Sequence, residues 1–221
     1  PVRAVYITHT RQEFLFGAAA FRERGIPVHM QRRAAALMAS RCEGCLKTLK
    51  RTLGDDAMRG TLMFKADVEF DAAHTQTLIG RPVQVLYHGH SSGPGDIAVF
   101  DERSGTLFAG GLLDQRRIPD VQDSDLAGWE RALDALRALP VKVVVPGHGP
   151  AADARAIDTT ARYLAQLQAT LADLLERGTA LSDVADRAVL PEFESWDQYD
   201  TVHRRNASVV FLRLERERMF K

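Results

Sequence analysis

At 221 residues the chain is long enough to bury a real core as one domain. Its 29 Lys and Arg balance 29 Asp and Glu, which argues against a nucleic-acid partner or an anionic membrane surface. Hydrophobic content of 45% is ordinary for a globular protein. No run approaches the roughly 18 apolar residues of a membrane-spanning helix, so membrane insertion is not expected.

The chain starts at Pro1 without a methionine or a visible signal peptide, and it reads as the remainder of a longer protein. Val2 to Ile7 reads as a buried strand ending in Thr8-His9. Phe14 to Arg24 has helical spacing and closes at Gly25, a good C-cap. Ile26 to Met30 is a short strand, and Arg32 to Leu53 a long helix stopping at Gly54. The period then changes. Thr61 to Lys65, Val68 to Phe70 and Val83 to Tyr87 read as strands, and Ile97 to Phe100 with Thr106 to Ala109 as a hairpin. Leu126 to Leu139 is a helix with Ser124 or Asp125 as its N-cap. Val141 to Val145 is a strand running into Pro146-Gly147-His148-Gly149. Beyond Asp153 the chain is helical: an apolar stripe of Ile157, Leu164, Leu167, Leu171 and Leu174, then Leu181 to Leu190 and Asn206 to Met219. Strands followed by helices in this order describe an α/β sheet layered with helices.

Four clusters stand at element ends, and three of them carry histidine. These are Thr8-His9-Thr10-Arg11-Gln12-Glu13-Phe14, Tyr87-His88-Gly89-His90-Ser91-Ser92-Gly93, Ala109-Gly110-Gly111-Leu112 and Pro146-Gly147-His148-Gly149. A strand delivering an imidazole into a glycine-rich turn is a common way to position a metal ligand. The ordered set resembles the metallo-β-lactamase superfamily of metal-dependent hydrolases, from Val2 to about Pro150. Phe16-Gly17, Arg41-Cys42, Cys45-Leu46, Met58-Arg59-Gly60-Thr61, Asp125-Leu126-Ala127-Gly128-Trp129 and His203-Arg204-Arg205-Asn206 look closer still to its quinoprotein relay system zinc metallohydrolases.

The resemblance implies an αββα sandwich with ligands on loops at one edge of two sheets. The family's N-terminal strands are expected to be missing here. Residues 1–152 would form the metallo-β-lactamase-like domain, and residues 153–221 a helical region packed on it. The first family motif is His-x-His-x-Asp-His, whose imidazoles hold zinc and lower the pKa of bound water. Here His9 keeps the first position, while Arg11, Glu13 and Phe14 replace the second histidine, the aspartate and the last histidine. An arginine cannot ligate and repels a dication. His90 fits the next ligand, with His88 a weaker candidate. Gly111 stands where the bridging aspartate should be, and His148 matches the last ligand.

A mononuclear site from His9, His90 and His148, with Glu13 as ligand or base, is the catalytic reading: one zinc at most, hydrolysing an ester- or amide-like bond. The alternative is an inactive member that binds a small anion or partner through Arg11, His88 and the other histidines. Cys42 and Cys45, three apart on a helix, suggest a disulfide or paired thiols. The family implies a periplasmic setting, which favours the disulfide. The stripe from Ile157 to Leu174 reads as core or, alternatively, as a homodimer face. Arg213 to Arg218 reads as a solvated, charge-paired helix face. His29, His74 and His203, with no motif around them, read as ordinary structural residues.

Overall fold

The computed structural model describes residues 1–220; the side chain of Glu13 also lies outside the described residues. Among the described residues the strands form two sheets. In the first, β1 (Val5–Ile7), β2 (Val28–Gln31) and β3 (Val68–Phe70) run parallel, with Val5 opposite Val28 and Met30 opposite Glu69. In the second, β4 (His74–Gln76), β5 (Val83–Leu86), β6 (Ala98–Asp101) and β7 (Thr106–Gly110) are antiparallel neighbours. β8 (Val143–Pro146) adds parallel to β7. That parallel pairing needs a crossover, supplied by helix α4 (Leu126–Arg137).

Helix formation follows the apolar spacing. Between Gln12 and Arg22 the expected single helix is broken into α1 (Gln12–Leu15), a 3-10 turn and α2 (Ala19–Arg22), and Gly25 closes it at φ +71. α3 (Arg32–Leu53) runs the full expected length; the Gln31 side chain caps its N-terminus, accepting from the backbone N–H of Arg33. Its Ala34, Met38 and Cys42 pack on the first sheet with Val28 and Met30.

The second core lies against the other sheet. Trp129, Leu133 and Leu136 of α4 meet Ile157, Leu164, Leu167 and Leu171 of α5 (Arg155–Glu176). α6 (Leu181–Arg187) and α7 (Arg204–Met219) complete this layer through Val184, Val210 and Phe211. The α5 stripe is therefore interior to one chain, and the homodimer reading of that face is set aside. Each fully buried leucine there is worth about 1.5–3 kcal/mol of apolar burial.

One sequence expectation changes, and one strand was not expected. Thr61 to Lys65 forms no strand: Phe64 is buried and Leu62 exposed, so the alternation is met by packing without a ladder partner. β4 carries no hydrophobic alternation and is held by backbone pairing, His74 opposite Val85. Among the described residues no helix is long and apolar enough to cross a membrane.

Candidate functional site

The two sheets are stitched together where the candidate residues emerge. The backbone N–H of Ile97, entering β6, donates to Thr8 O at 2.9 Å, just past β1. Gly110, ending β7, comes so close that a Cβ there would lie 2.4 Å from the Thr8 side chain. The C-terminal ends of β1, β7 and β8 thus open into one region.

His9 is 3% exposed, and its Nδ1 lies 2.9 Å from Thr8 Oγ1. His148 is fixed by Asp114, whose Oδ1 accepts from the His148 backbone N–H and pairs with its Nδ1, both at 2.9 Å. The two imidazoles stand edge to face with centroids 6.4 Å apart. Phe14 touches both rings, at 4.5 Å from His9 and 5.5 Å from His148. The glycines beside His148 do clear space, but for backbone rather than for the ring. A Cβ at Gly147 would lie 2.7 Å from Gly110 O, and one at Gly149 1.9 Å from Gln115 O.

Sequence reasoning missed Asp114, and it missed a second buried carboxylate close to the His9 ring. Asp96, 5% exposed, accepts a hydrogen bond from Ser92 Oγ at 2.7 Å. Burial pushes its carboxyl up to about 6, against the opposing pull of Ser92, Arg11 and His90. A Cβ at Gly111 would lie 2.9 Å from Asp96 Oδ2 and 3.0 Å from the His9 ring. The carboxylate of Asp96 therefore fills space that a side chain at position 111 would need. The signal was the Gly93-Pro94-Gly95-Asp96 run: a Cβ at Gly93 would lie 2.5 Å from Asp96 Oδ1, and one at Gly95 2.3 Å from Ala34 N.

His9, Ser92, Asp96, Gly111, Asp114 and His148 share a cavity of about 400 Å³ with a ring of guanidiniums. Arg11 pairs with Asp120 at 2.8 Å, and Arg205 of α7 pairs with the same carboxylate oxygen. Arg41 of α3 holds Asp123 at 2.7 Å. Arg117 also lines the cavity. Asp120 and Asp123 sit on a loop clamped by α7. Arg213 donates to the carbonyls of Val121, Gln122 and Ser124, and Asn206 bonds Pro119 O and Val121 N. Arg213 is thus a loop anchor rather than part of a solvated face.

The other expected residues are placed differently. His90 is not among the side chains lining the cavity, and its Nε2 lies 2.6 Å from the carbonyl oxygen of Asp123. His88 is exposed, partial desolvation lowers its imidazole pKa, and it does not line the cavity either. The catalytic expectation for Glu13 falls on a side chain outside the described residues. Cys42 and Cys45 both line the cavity and are free thiols; no disulfide joins them. His29 stacks on Tyr6 at 4.6 Å, and buried His203 bonds Ala188 O.

Catalytic zinc takes three protein ligands and an open position. Two imidazoles of the expected three line the cavity, together with Arg11, which is held by Asp120. Among the described residues no group of three or more His, Cys, Asp or Glu side chains is arranged to hold a metal ion. The expected set of His9, His90 and His148 does not fit zinc in this arrangement.

Solved structures share the fold. A metallo-beta-lactamase from Pontibacter korlensis is 25% identical with TM-score 0.61, over 75% of this chain and 70% of that one. The FIM-1 metallo-beta-lactamase of Pseudomonas aeruginosa, solved in a mono-zinc form, is 21% identical with TM-score 0.56, over 75% and 67%. The DIM-1 metallo-beta-lactamase is 17% identical with TM-score 0.56, over 73% and 67%. No curated protein matches the sequence. The profile of the metallo-beta-lactamase superfamily matches residues 1–148, and the chain belongs to that family of metal-dependent hydrolases and their relatives.

Proposed function

We propose that the chain is a metallo-β-lactamase-fold protein whose cavity recognises a small anion, a carboxylate or phosphate, in place of the family's metal-bound hydroxide. The observation that carries this reading is the double claim on Asp120. Arg11 and Arg205 converge on one carboxylate, so a single internal anion serves two guanidiniums lining the same cavity. Paired guanidiniums are the geometry that carboxylates and phosphates recognise through charge-assisted hydrogen bonds. The cavity size suits a small ligand. His9 and His148 add imidazole edges to the same cavity, and Asp96, with its raised pKa, carries less negative charge against an incoming anion near pH 6 than an ordinary aspartate.

Isothermal titration with inorganic phosphate and with acetate tests it, at low and moderate salt. Saturable, salt-sensitive binding that Arg11→Ala weakens about tenfold or more is the expected result. Absence of binding by either anion, or an unchanged isotherm in the variant, refutes it. The same preparation is assayed for metal. Stoichiometric zinc that disappears in His148→Ala would overturn the anion reading and return the chain to hydrolysis of an ester- or amide-like bond.

A further inference from the structure

The cavity wall contributed by α3 carries a pair of thiols that the anion reading does not use. Cys42 is buried and Cys45 half-buried, both line the cavity, and the two thiols are close enough to interact electrostatically. Cys45 Sγ also donates to Arg41 O at 3.5 Å. Between the two cysteines stands Gly44, in the interior of a 22-residue helix. An ideal Cβ there meets nothing within 4 Å. Packing therefore does not require a glycine, and a glycine weakens the helix at that point. Side chains three apart on a helix have Cβ atoms about 5–6 Å apart, whereas a disulfide needs about 3.5–4.5 Å. Closing a bond between these sulfurs must bend α3 locally, and Gly44 is where the backbone yields most easily.

We propose that Cys42 and Cys45 form a redox-active dithiol that is oxidised by low-molecular-weight disulfides, and that its oxidation reshapes the α3 wall of the cavity. The more accessible Cys45 enters the reaction as thiolate and attacks one sulfur of the disulfide. That step makes a mixed disulfide and expels one thiolate, which takes up the proton Cys45 released. Cys42 then loses its proton and attacks the Cys45 sulfur, expelling the second thiolate, which is protonated in turn. Two protein thiols are oxidised, and one small disulfide is reduced to two thiols. Burial and the neighbouring thiol push Cys42 up to about 11, which suits a resolving rather than an entering sulfur. Arg41 precedes Cys42 directly and holds Asp123 at 2.7 Å, so a bend at Cys42–Cys45 loosens that clasp.

The inference stands apart from the anion reading, because its test uses no ligand. The full chain is equilibrated with reduced and oxidised glutathione at graded ratios, trapped with maleimide and weighed. The expected product is an intramolecular disulfide, lighter by two hydrogens. Cys42→Ser should accumulate a glutathione adduct on Cys45, and Cys45→Ser should resist modification. Amide hydrogen exchange across residues 39–48 should be about fivefold faster in the oxidised form. A stable glutathione adduct on the wild type, two single variants that react alike, or no reaction of either thiol would refute the dithiol. Unchanged exchange in a fully oxidised sample would refute the reshaping.

Discussion

One oxygen of Asp114 holds His148 twice, taking the backbone N–H and facing the ring Nδ1 at the same 2.9 Å. A buried carboxylate that fixes both the main chain and the imidazole sets the direction of the ring, as such partners do for histidines at metal and binding sites. Asp114→Ala leaves a backbone donor unpaired and the ring unrestrained. Urea denaturation should show a loss of about 1–3 kcal/mol. Asp114→Asn keeps an acceptor for the backbone N–H and should lose less.

The shared carboxylate of Asp120 competes with any anion the cavity takes. Asp120→Asn retains an oxygen for the Gln122 N–H, which Oδ1 accepts at 2.8 Å, but removes the charge that engages Arg11 and Arg205. Phosphate binding should therefore tighten by about threefold to tenfold, roughly 1 kcal/mol, in titrations at low salt. Arg205→Ala should weaken it in the same assay, which would place α7 in the binding site.

Asp96 gives stability a pH dependence of definite sign. Its folded carboxyl titrates at about 6, above the ordinary value of 3.8, because burial disfavours the charged form. The folded state therefore holds a proton that the unfolded state releases between those values. This contribution is fully present below about pH 4, is lost as pH rises towards 6, and stays lost above it, for a total of about 3 kcal/mol. Asp96→Asn can keep the bond from Ser92 without ionising. Thermal melts should find the variant more stable than the wild type at pH 7.5, with the difference vanishing near pH 4.

What could be read from the chain was whatever repeats at short range. The 22-residue helix from Arg32, the β6–β7 hairpin and the delivery of His9 and His148 by strand ends all follow from local pattern. Contacts between distant segments were not legible. The run Asp125-Leu126-Ala127-Gly128-Trp129 could be read only as a resemblance, with no visible physical reason. The structure supplies one: a Cβ at Gly128 would lie 2.0 Å from His90 O, and the buried Trp129 donates from Nε1 to Leu112 O at 3.0 Å. Arg213 looked like surface charge and Arg205 like no more than part of a resemblance, because their partners lie 85 to 92 residues away. His90 looked like a ligand because its glycine-flanked setting is right, yet the loop turns its Nε2 onto Asp123 O.

The family resemblance implies a bridging aspartate at position 111, and the structure predicts that an aspartate placed there will not be accommodated. A Cβ at 111 would stand 2.9 Å from Asp96 Oδ2 and 3.0 Å from the His9 ring, both buried. Gly111→Asp must therefore displace one of them and place a second carboxylate beside the first. Overpacking costs about 1–3 kcal/mol, and an unpaired buried charge adds to it. Urea denaturation at pH 7.5 should show a loss of about 3 kcal/mol or more, with no gain in bound zinc. Removing the resident carboxylate should relieve the conflict. The Asp96→Gly, Gly111→Asp double variant should recover at least about 1 kcal/mol relative to the sum of the two single changes. Strict additivity would mean that the two positions do not compete for the same space.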